Sequence, residues 1–267
     1  MSPMQTISVY SEAGGVRKTT TAVSIAMTAA QGIAADPESG SPAVAPRRVG
    51  LIDLDPRAAA TKWLRAEPAE DWQHVGAIIA NPSDATGTAA DIALPTTWHE
   101  NLSIIPSARG LSVIEAGAPE YAEFQLQKAL EGWDVDLVVI DCANRQGGIL
   151  TRSAFLASTG VLYAAVAGDS GIEGVEGAQR SVRRFNEAFQ AVDELGVAMS
   201  RSGIGFMSYA ETDSLEQVRE LAPIVGPVVP YLSIVPESRI AGEWYGKYRK
   251  GQPVAQAYGE IMKEVVR

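Results

Sequence analysis

Short apolar runs and longer amphipathic stretches alternate along most of the 267-residue chain. Runs rich in valine, isoleucine and leucine predict buried strands, and apolar residues spaced three and four apart predict helices. Parallel strands need long crossover connections, so the alternation predicts an α/β fold, a mostly parallel twisted sheet with helices on both faces. The predicted strands are residues 6–10, 49–53, 102–106, 137–141, 160–166, 203–207 and 227–229. The predicted helices are residues 18–31, 58–66, 121–130, 171–195, 213–223 and 253–267.

The chain is predicted to form a single domain over residues 1–267, with one flexible surface loop at about residues 32–48. That loop contains Asp-Pro, Ser-Gly-Ser-Pro and Ala-Pro sequences, which oppose both helix and strand. We interpret it as a tolerated insertion rather than a functional lid, because lengthening a surface loop costs little free energy.

The composition argues against several classes of protein. Apolar residues make up 46% of the chain, which argues against wholesale disorder. A net charge of −10 argues against a uniformly basic nucleic-acid-binding surface but leaves a local basic patch open. Cys142 is the only cysteine, which excludes an internal disulfide and fits a cytoplasmic location. The sequence has no apolar run of 18 residues and no secretory signal at its start, so we expect no membrane association.

A phosphate-binding loop is predicted where the first strand meets the first helix. Residues 11–20 have the sequence Ser-Glu-Ala-Gly-Gly-Val-Arg-Lys-Thr-Thr. Loop N–H groups and a helix N-terminus attract anions there, and glycines let the backbone approach phosphate oxygens. We expect Lys18 to reach the β- and γ-phosphates and Thr19 to ligate Mg²⁺. The general pattern G-x-x-x-x-G-K-[ST] is not met, because its glycine positions fall on Glu12 and Arg17. The string alone therefore leaves open a glycine-rich turn with an incidental lysine.

Three aspartates stand at the ends of predicted strands. Asp53 and Asp55 end one strand and Asp141 ends another. Ligands of parallel sheets bind beyond the carboxyl ends of the strands, so all three acids should share an edge with the glycine loop. A lone aspartate at a strand end is more often a cap or turn residue. Three of them beside a phosphate loop favour a Mg²⁺ site.

These segments together resemble the ParA/MinD family of deviant Walker ATPases, and most of all its small ParA-type partition proteins without an N-terminal DNA-binding domain. The family loop K-G-G-x-G-K-[ST]-[ST] corresponds to residues 13–20, and the family's D-x-D-P strand end to residues 53–56. Its Asn-Leu-x-x-Ile-Pro-Ser segment corresponds to residues 101–107, its Walker B strand to residues 140–144, and a Leu-Glu-Gly helix start to residues 171–174.

The resemblance implies a P-loop NTPase fold of the deviant Walker A type, with ATP and Mg²⁺ as cofactors. It also implies an ATP-sandwiched homodimer that binds DNA non-specifically, and a ParB-like partner that stimulates hydrolysis. The protein would then be cytoplasmic and nucleoid-associated.

The resemblance also assigns residues by position. Lys18 would hold the phosphates and Asp55 would orient or activate the attacking water. Thr19 would ligate Mg²⁺, and Asp53 and Asp141 would support the metal and its waters. Gly14 and Gly15 would line the phosphates and the dimer seam. The nucleotide-binding residues are then Gly14, Gly15, Val16, Arg17, Lys18, Thr19 and Thr20.

Two positions depart from the family pattern. The signature lysine, which reaches across the dimer to the partner's phosphates, is Ala13 in this chain, and alanine cannot donate to phosphate. The glycine before the P-loop lysine is Arg17. Arg17 could supply the missing charge, another cation such as Lys62 could supply it, or the site could be weakened. We expect nucleotide binding to be retained and hydrolysis to be altered.

A basic patch lies near the C-terminal end of the sequence. Four cations stand against one acid, Glu243, and the aromatic residues Trp244, Tyr245 and Tyr248 interleave with them. The alternatives are a DNA-binding surface and a solvated surface with the aromatic rings folded inward. The resemblance favours DNA binding by Arg239, Lys247, Arg249 and Lys250.

Two other functions remain open at the sequence level. One is a nucleotide-binding switch or scaffold with weak or absent hydrolysis. The other is a MinD-like membrane-associated regulator. The polar face of the last predicted helix mixes Glu260, Lys263, Glu264 and Arg267 instead of being basic-rich, which favours core packing over membrane binding.

Overall fold

One sheet of seven strands organises the structure, a computed structural model that describes residues 4–35, 42–81 and 83–267. The strands are β1 (Gln5–Tyr10), β2 (Val49–Leu54), β3 (Leu94–Pro95), β4 (Leu102–Ile105), β5 (Leu137–Cys142), β6 (Gly160–Val166) and β7 (Asp193–Ser200). Their order across the sheet is β3-β4-β2-β5-β1-β6-β7, and every pair is parallel except β3 with β4. The predicted α/β class with a mostly parallel sheet is confirmed.

Helices cover both faces of this sheet. Those in the described residues are α1 (Lys18–Gln31), α2 (Ala59–Trp63), α3 (Val75–Ile79), α4 (Ala89–Ile92), α5 (Leu111–Gly117), α6 (Gln125–Ala129), α7 (Ile149–Ala157), α8 (Asp169–Ala188), α9 (Tyr209–Leu221), α10 (Ile234–Ala241) and α11 (Gln252–Val265). None of them is long and apolar enough to cross a bilayer.

The central strands are mostly apolar because both of their faces are buried. Their buried polar residues are Thr6, Ser8, Asp53 and Asp141. In β5, Leu137 and Val139 pack in the apolar layer that contains α1 and α11, while Val138 and Ile140 pack in the layer that contains α7 and α8. Alternate side chains of a strand point to opposite faces, so burial on both sides requires a continuous apolar run instead of an alternating pattern.

The apolar stripe of α11 is used inside the molecule. Tyr258 and Ile261 are fully buried, and the helix packs along α1. The hydroxyl group of Tyr258 also shares a hydrogen bond of 3.1 Å with that of Thr21. The expectation of core packing for the last helix is confirmed.

The predicted strand at residues 203–207 is wrong. These residues form an exposed loop, and the last strand of the sheet is β7, whose start falls in the predicted helix 171–195. The helix ends at Ala188 because the side chain of Asn186 accepts from the N–H of Val192 (3.0 Å) and donates to its carbonyl oxygen (3.2 Å), which reverses the chain.

Other predicted elements also differ from the structure. Residues 227–229 form no strand of their own, and Val229 makes only an isolated bridge with Ser200. Helices α3, α4, α5, α7 and α10 and the short strand β3 were not predicted. The loop predicted at residues 32–48 is closed at its base by two hydrogen bonds of 2.8 Å between Ile33 and Val44. Its residues 36–41 lie outside the described part of the chain.

An ion pair holds the loop between β7 and α9. Glu211 accepts hydrogen bonds from the guanidinium of Arg201 at 3.1 and 3.0 Å and from the N–H groups of Ser202 and Ser208 at 3.0 Å. Ser208 in return caps α9 by accepting from the N–H of Glu211. The loop therefore keeps one shape although the ring of Phe206 at its tip is fully exposed.

We expect Glu211→Ala to lower the free energy of unfolding by about 2 kcal/mol or more, because several donors lose their acceptor at once. The hydrogen bonds from Arg201 hold the pKa of Glu211 well below its usual range. This contribution is present above the ordinary glutamate pKa and is lost as the pH falls towards the depressed value. Urea unfolding at several pH values measures both effects. Glu216→Ala on the exposed face of the same helix is the control, and an equal loss in the two variants would contradict the assignment.

Candidate functional site

The loop between β1 and α1 borders a cavity of about 430 Å³. Gly15 (φ 76°) and Arg17 (φ 68°) both adopt the left-handed conformation, which turns the backbone into the helix. All seven predicted nucleotide-binding residues line this cavity together with Asp55. The lining residues are Gly14, Gly15, Val16, Arg17, Lys18, Thr19, Thr20, Asp55, Arg57, Ala59, Lys62, Asn144 and Arg239.

Helix α8 packs closely against residues 11–13, the first part of the phosphate loop. A Cβ at Gly174 would lie 2.5 Å from Oγ of Ser11 and 2.8 Å from Cβ of Ala13, and a Cβ at Gly177 would overlap the carboxylate of Glu12. That carboxylate accepts a hydrogen bond from Ser181 at 2.6 Å. Only glycine at these positions lets the helix approach so closely. The three-residue spacing of glycines from Gly171 is a sequence signal for this close approach that the sequence-based prediction missed.

Lys18 is buried at the start of α1, and its Nζ donates to the carbonyl oxygen of Ala13 at 2.7 Å. Burial lowers the pKa of Lys18, and the negative charge of Asp141 opposes that shift. This hydrogen bond links the two ends of the loop. Its acceptor belongs to Ala13, which by the resemblance stands at the position of the signature lysine.

Asp53 is fully buried, and both of its carboxylate oxygens are engaged by the protein. Oδ2 accepts from the N–H (2.8 Å) and the hydroxyl (2.7 Å) of Thr61, and Oδ1 accepts from the N–H of Asp55 (3.2 Å). Ser107 continues the network by donating its N–H to Thr61 at 2.9 Å and its hydroxyl to the carbonyl oxygen of Asp55 at 2.7 Å. The network fixes the turn that carries Asp55.

Asp141 lies opposite Asp53 on the neighbouring strand, and it too is fully buried. Neither of its carboxylate oxygens has a hydrogen-bond partner among the residues that the structure describes. Burial raises its pKa well above the usual range, and the negative charge of Asp53 adds to the shift, while the nearby hydroxyl of Thr19, which does not meet hydrogen-bond geometry, opposes it. A buried carboxylate without a partner needs an explanation, and a cation or a water held by a cation supplies one. The donor set at Thr19 and Asp141 therefore fits Mg²⁺, which prefers oxygen ligands.

The residues of the predicted basic patch separate into three places. Arg239, on α10, lines the cavity at the phosphate loop. Lys247 forms an ion pair with Glu243 at 2.7 Å. Arg249 and Lys250 are exposed, and within the described ranges neither forms an ion pair. Trp244 and Tyr245 are buried in the core, so these two rings fold inward as the alternative interpretation had it.

A second, smaller cavity of about 170 Å³ adjoins the first. Arg17, Thr20 and Arg239 line both cavities, so the two meet at these side chains. The guanidinium carbon of Arg17 lies 4.7 Å above the ring centroid of Tyr231. The remaining lining is mostly apolar: Val229, Pro230, Leu232, Val235, Pro236, Val254 and Tyr258.

A glycine-containing loop that enters a helix, with aspartates at the tips of neighbouring parallel strands, defines a P-loop nucleotide-binding protein. The protein-family model described as an AAA domain matches residues 4–193 of this chain. The sporulation initiation inhibitor protein Soj of Bacillus subtilis is 32% identical over 181 residues, which are 66% of this chain and 64% of that protein. The chain belongs to the ParA/MinD family of ATPases.

More distant relatives are also similar to this chain. The chromosome-partitioning ATPase Soj of Thermus thermophilus is 24% identical over 97% of this chain and 94% of its own length. The apo structure of McdA from Cyanothece superposes with a TM-score of 0.80 at 20% identity, covering 99% of this chain and 100% of that one. A putative plasmid partition protein of Borrelia burgdorferi bound to AMPPNP gives a TM-score of 0.77 at 18% identity, covering 98% of each chain. These two structures show that the fold is shared.

Asp141→Asn is expected to melt at a higher temperature than the parent protein when nucleotide and Mg²⁺ are absent, because the substitution removes an unpartnered buried charge. Because the pKa of Asp141 is raised in the folded state, this residue's contribution to the stability of the parent is most favourable below the ordinary aspartate pKa. That contribution is lost as the pH rises towards the folded-state value, and the variant lacks this loss. Thermal melts across pH measure the difference. A variant that melts lower at every pH would contradict the role given to Asp141.

Proposed function

We propose that this protein is a partition or positioning ATPase that binds MgATP in the cavity at the phosphate loop. The observation that carries the proposal is that the phosphate loop and the buried Lys18 border one cavity, close to the buried carboxylate of Asp141, which has no hydrogen-bond partner among the described residues. A triphosphate with its magnesium supplies the anion for Lys18 and the cation for Asp141.

The nucleotide would span the two adjoining cavities. The triphosphate lies against Gly14, Gly15 and Lys18, where the helix N-terminus adds partial positive charge. The base then occupies the smaller cavity, whose lining is mostly apolar, as is usual for the flat part of a cofactor. Thr20 stands between them.

Asp55 is the residue that we assign to the attacking water. Asp55 borders the cavity, and from the residues that the structure describes its Oδ1 accepts only the N–H of Arg57, at 2.9 Å, so lone pairs remain for a water. The network of Asp53, Thr61 and Ser107 holds its backbone still, and a fixed acceptor contributes to catalysis through orientation. We therefore assign Asp53 to positioning Asp55.

Magnesium, when bound, withdraws charge from the β- and γ-phosphates. Thr19 and Asp141 are the residues that would hold it. To reach the phosphates, Lys18 exchanges the carbonyl oxygen of Ala13 for a phosphate oxygen. Because that exchange replaces a neutral acceptor with an anionic one, the lysine interacts more strongly with a nucleotide than with its own loop.

The proposal extends to a homodimer and to two further partners. The exposed Gly14 and Gly15 would face a second copy across bound ATP, the dimer would bind DNA non-specifically, and a ParB-like partner would stimulate hydrolysis. The protein would then be cytoplasmic and associated with the nucleoid. The support is the family to which the chain belongs.

A second candidate function is a nucleotide switch with little hydrolysis. It is favoured by one observation, the methyl group of Ala13 where the family has a lysine, since a cation at the transferring phosphate is worth several powers of ten in rate. A MinD-like membrane role has no comparable support, because the apolar stripe of α11 is buried against α1.

We expect Ala13→Lys to raise the rate of ATP hydrolysis by at least about tenfold, because a lysine there can stabilise charge on the transferring phosphate. Asp55→Ala should bind MgATP with unchanged affinity and lose turnover, and Lys18→Ala should lose binding. Calorimetry gives the affinities, and phosphate release gives the rates. Full turnover in Asp55→Ala, or MgATP affinity unaffected by Lys18→Ala, would contradict the proposal.

DNA binding is tested at the exposed cations. The double variant Arg249→Ala/Lys250→Ala should weaken retention of non-specific duplex DNA in the presence of ATP. It should also reduce the slope of log affinity against log salt by about two, one for each phosphate that the variant no longer neutralises. Lys128→Ala, on α6 over the other face of the sheet, is the control. Equal DNA affinity in the double variant and the parent would remove these two residues from the DNA site.

A further inference from the structure

Arg17 occupies a backbone position that favours glycine. Its φ of 68° and ψ of 28° lie in the left-handed region, which is strained for a residue with a Cβ and unstrained for glycine. The backbone conformation alone would therefore favour glycine at this position, not a residue with a long side chain.

The guanidinium of Arg17 is fixed but electrostatically unpaired. It lies 4.7 Å above the ring of Tyr231, within the range of a cation–π contact. In the part of the chain that the structure describes, it forms neither an ion pair nor a side-chain hydrogen bond. Burial lowers its pKa, yet arginine stays charged. A partly desolvated cation without a counter-ion is a ready site for an anion.

The position of the stack, which is the guanidinium of Arg17 over the ring of Tyr231, indicates which part of a bound nucleotide the guanidinium would face. Arg17 and Thr20 line both the phosphate cavity and the apolar cavity beside it, so the guanidinium stands where the two meet. A nucleotide that spans both cavities places its base-proximal phosphate and ribose at that junction. The γ-phosphate lies at the other end, beside Asp55.

We propose that Arg17, held against Tyr231, binds the base-proximal end of the polyphosphate and does not replace the missing signature lysine. This inference rests on the proposed binding of nucleotide across the two cavities. Ring stacking fixes the plane of the guanidinium and leaves its N–H groups free to donate at the edge. Because di- and triphosphates share this end, Arg17 strengthens the binding of ADP and ATP by the same factor and slows the release of ADP.

The test compares ADP and ATP in Arg17→Gly. We expect the Kd values for both nucleotides to rise together by about tenfold, the loss of a charge-assisted hydrogen bond, so that their ratio is unchanged. Glycine also removes the backbone strain, so the variant without nucleotide should melt no lower than the parent. Ala13→Lys provides the contrast, because a lysine that reaches the γ-phosphate of the partner's nucleotide across the dimer should strengthen ATP binding and leave ADP binding unchanged.

Tyr231 is tested by a double-mutant cycle. Tyr231→Leu removes the ring on which the guanidinium rests, and it should weaken both nucleotides by less than Arg17→Gly does. In the double variant the two effects should fall short of additive, since the ring acts on phosphate through the arginine. Fully additive effects would overturn the link between the stack and the phosphate.

The outcomes separate this inference from the proposed function. Absence of ADP and ATP binding by the parent protein would overturn both. Tight binding by the parent with unchanged affinities in Arg17→Gly would overturn the inference alone. A loss confined to ATP would also overturn it, because that pattern assigns Arg17 to the γ-phosphate in place of the signature lysine.

Discussion

The structure depends on which hydrogen-bond partners are available to the charged side chains buried at the carboxyl ends of its central strands. Asp53 directs its carboxylate to Thr61 and the backbone, and Lys18 directs one N–H to the carbonyl oxygen of Ala13. Asp141 has no such partner in the described chain. An unpartnered buried carboxylate is costly, and under the proposed binding mode a cation would remove that cost. Stability and ligand binding are thereby linked.

The two departures from the family pattern act at different places. Ala13, which is not among the residues that line the cavity, removes a cation that the resemblance directs across the dimer to the partner's phosphates. Arg17 adds a cation at the cavity itself, where its guanidinium rests on Tyr231. Under the proposed binding mode, the first change weakens discrimination between ATP and ADP, and the second strengthens the hold on both. Together they favour a protein that keeps its nucleotide for longer and hydrolyses it more slowly.

Local patterns were enough to predict the α/β fold and the phosphate loop, because strands buried on both faces are mostly apolar and the loop lies within ten residues of sequence. The boundary between α8 and β7 was not predictable in the same way, since it depends on the side chain of Asn186 folding back on Val192. The different environments of Asp53 and Asp141 depend on Thr61, which is placed by α2. Arg239 and Tyr231 reach the site through distant segments, which no local pattern reveals.

A crystal structure with Mg²⁺ and a non-hydrolysable ATP analogue tests the central claim most directly. The account predicts that Nζ of Lys18 leaves the carbonyl oxygen of Ala13 for a phosphate oxygen, and that the carboxylate of Asp141 gains a partner at the metal or its waters. An analogue bound elsewhere, or bound at the loop with Lys18 still on Ala13 and Asp141 still unpartnered, would contradict it.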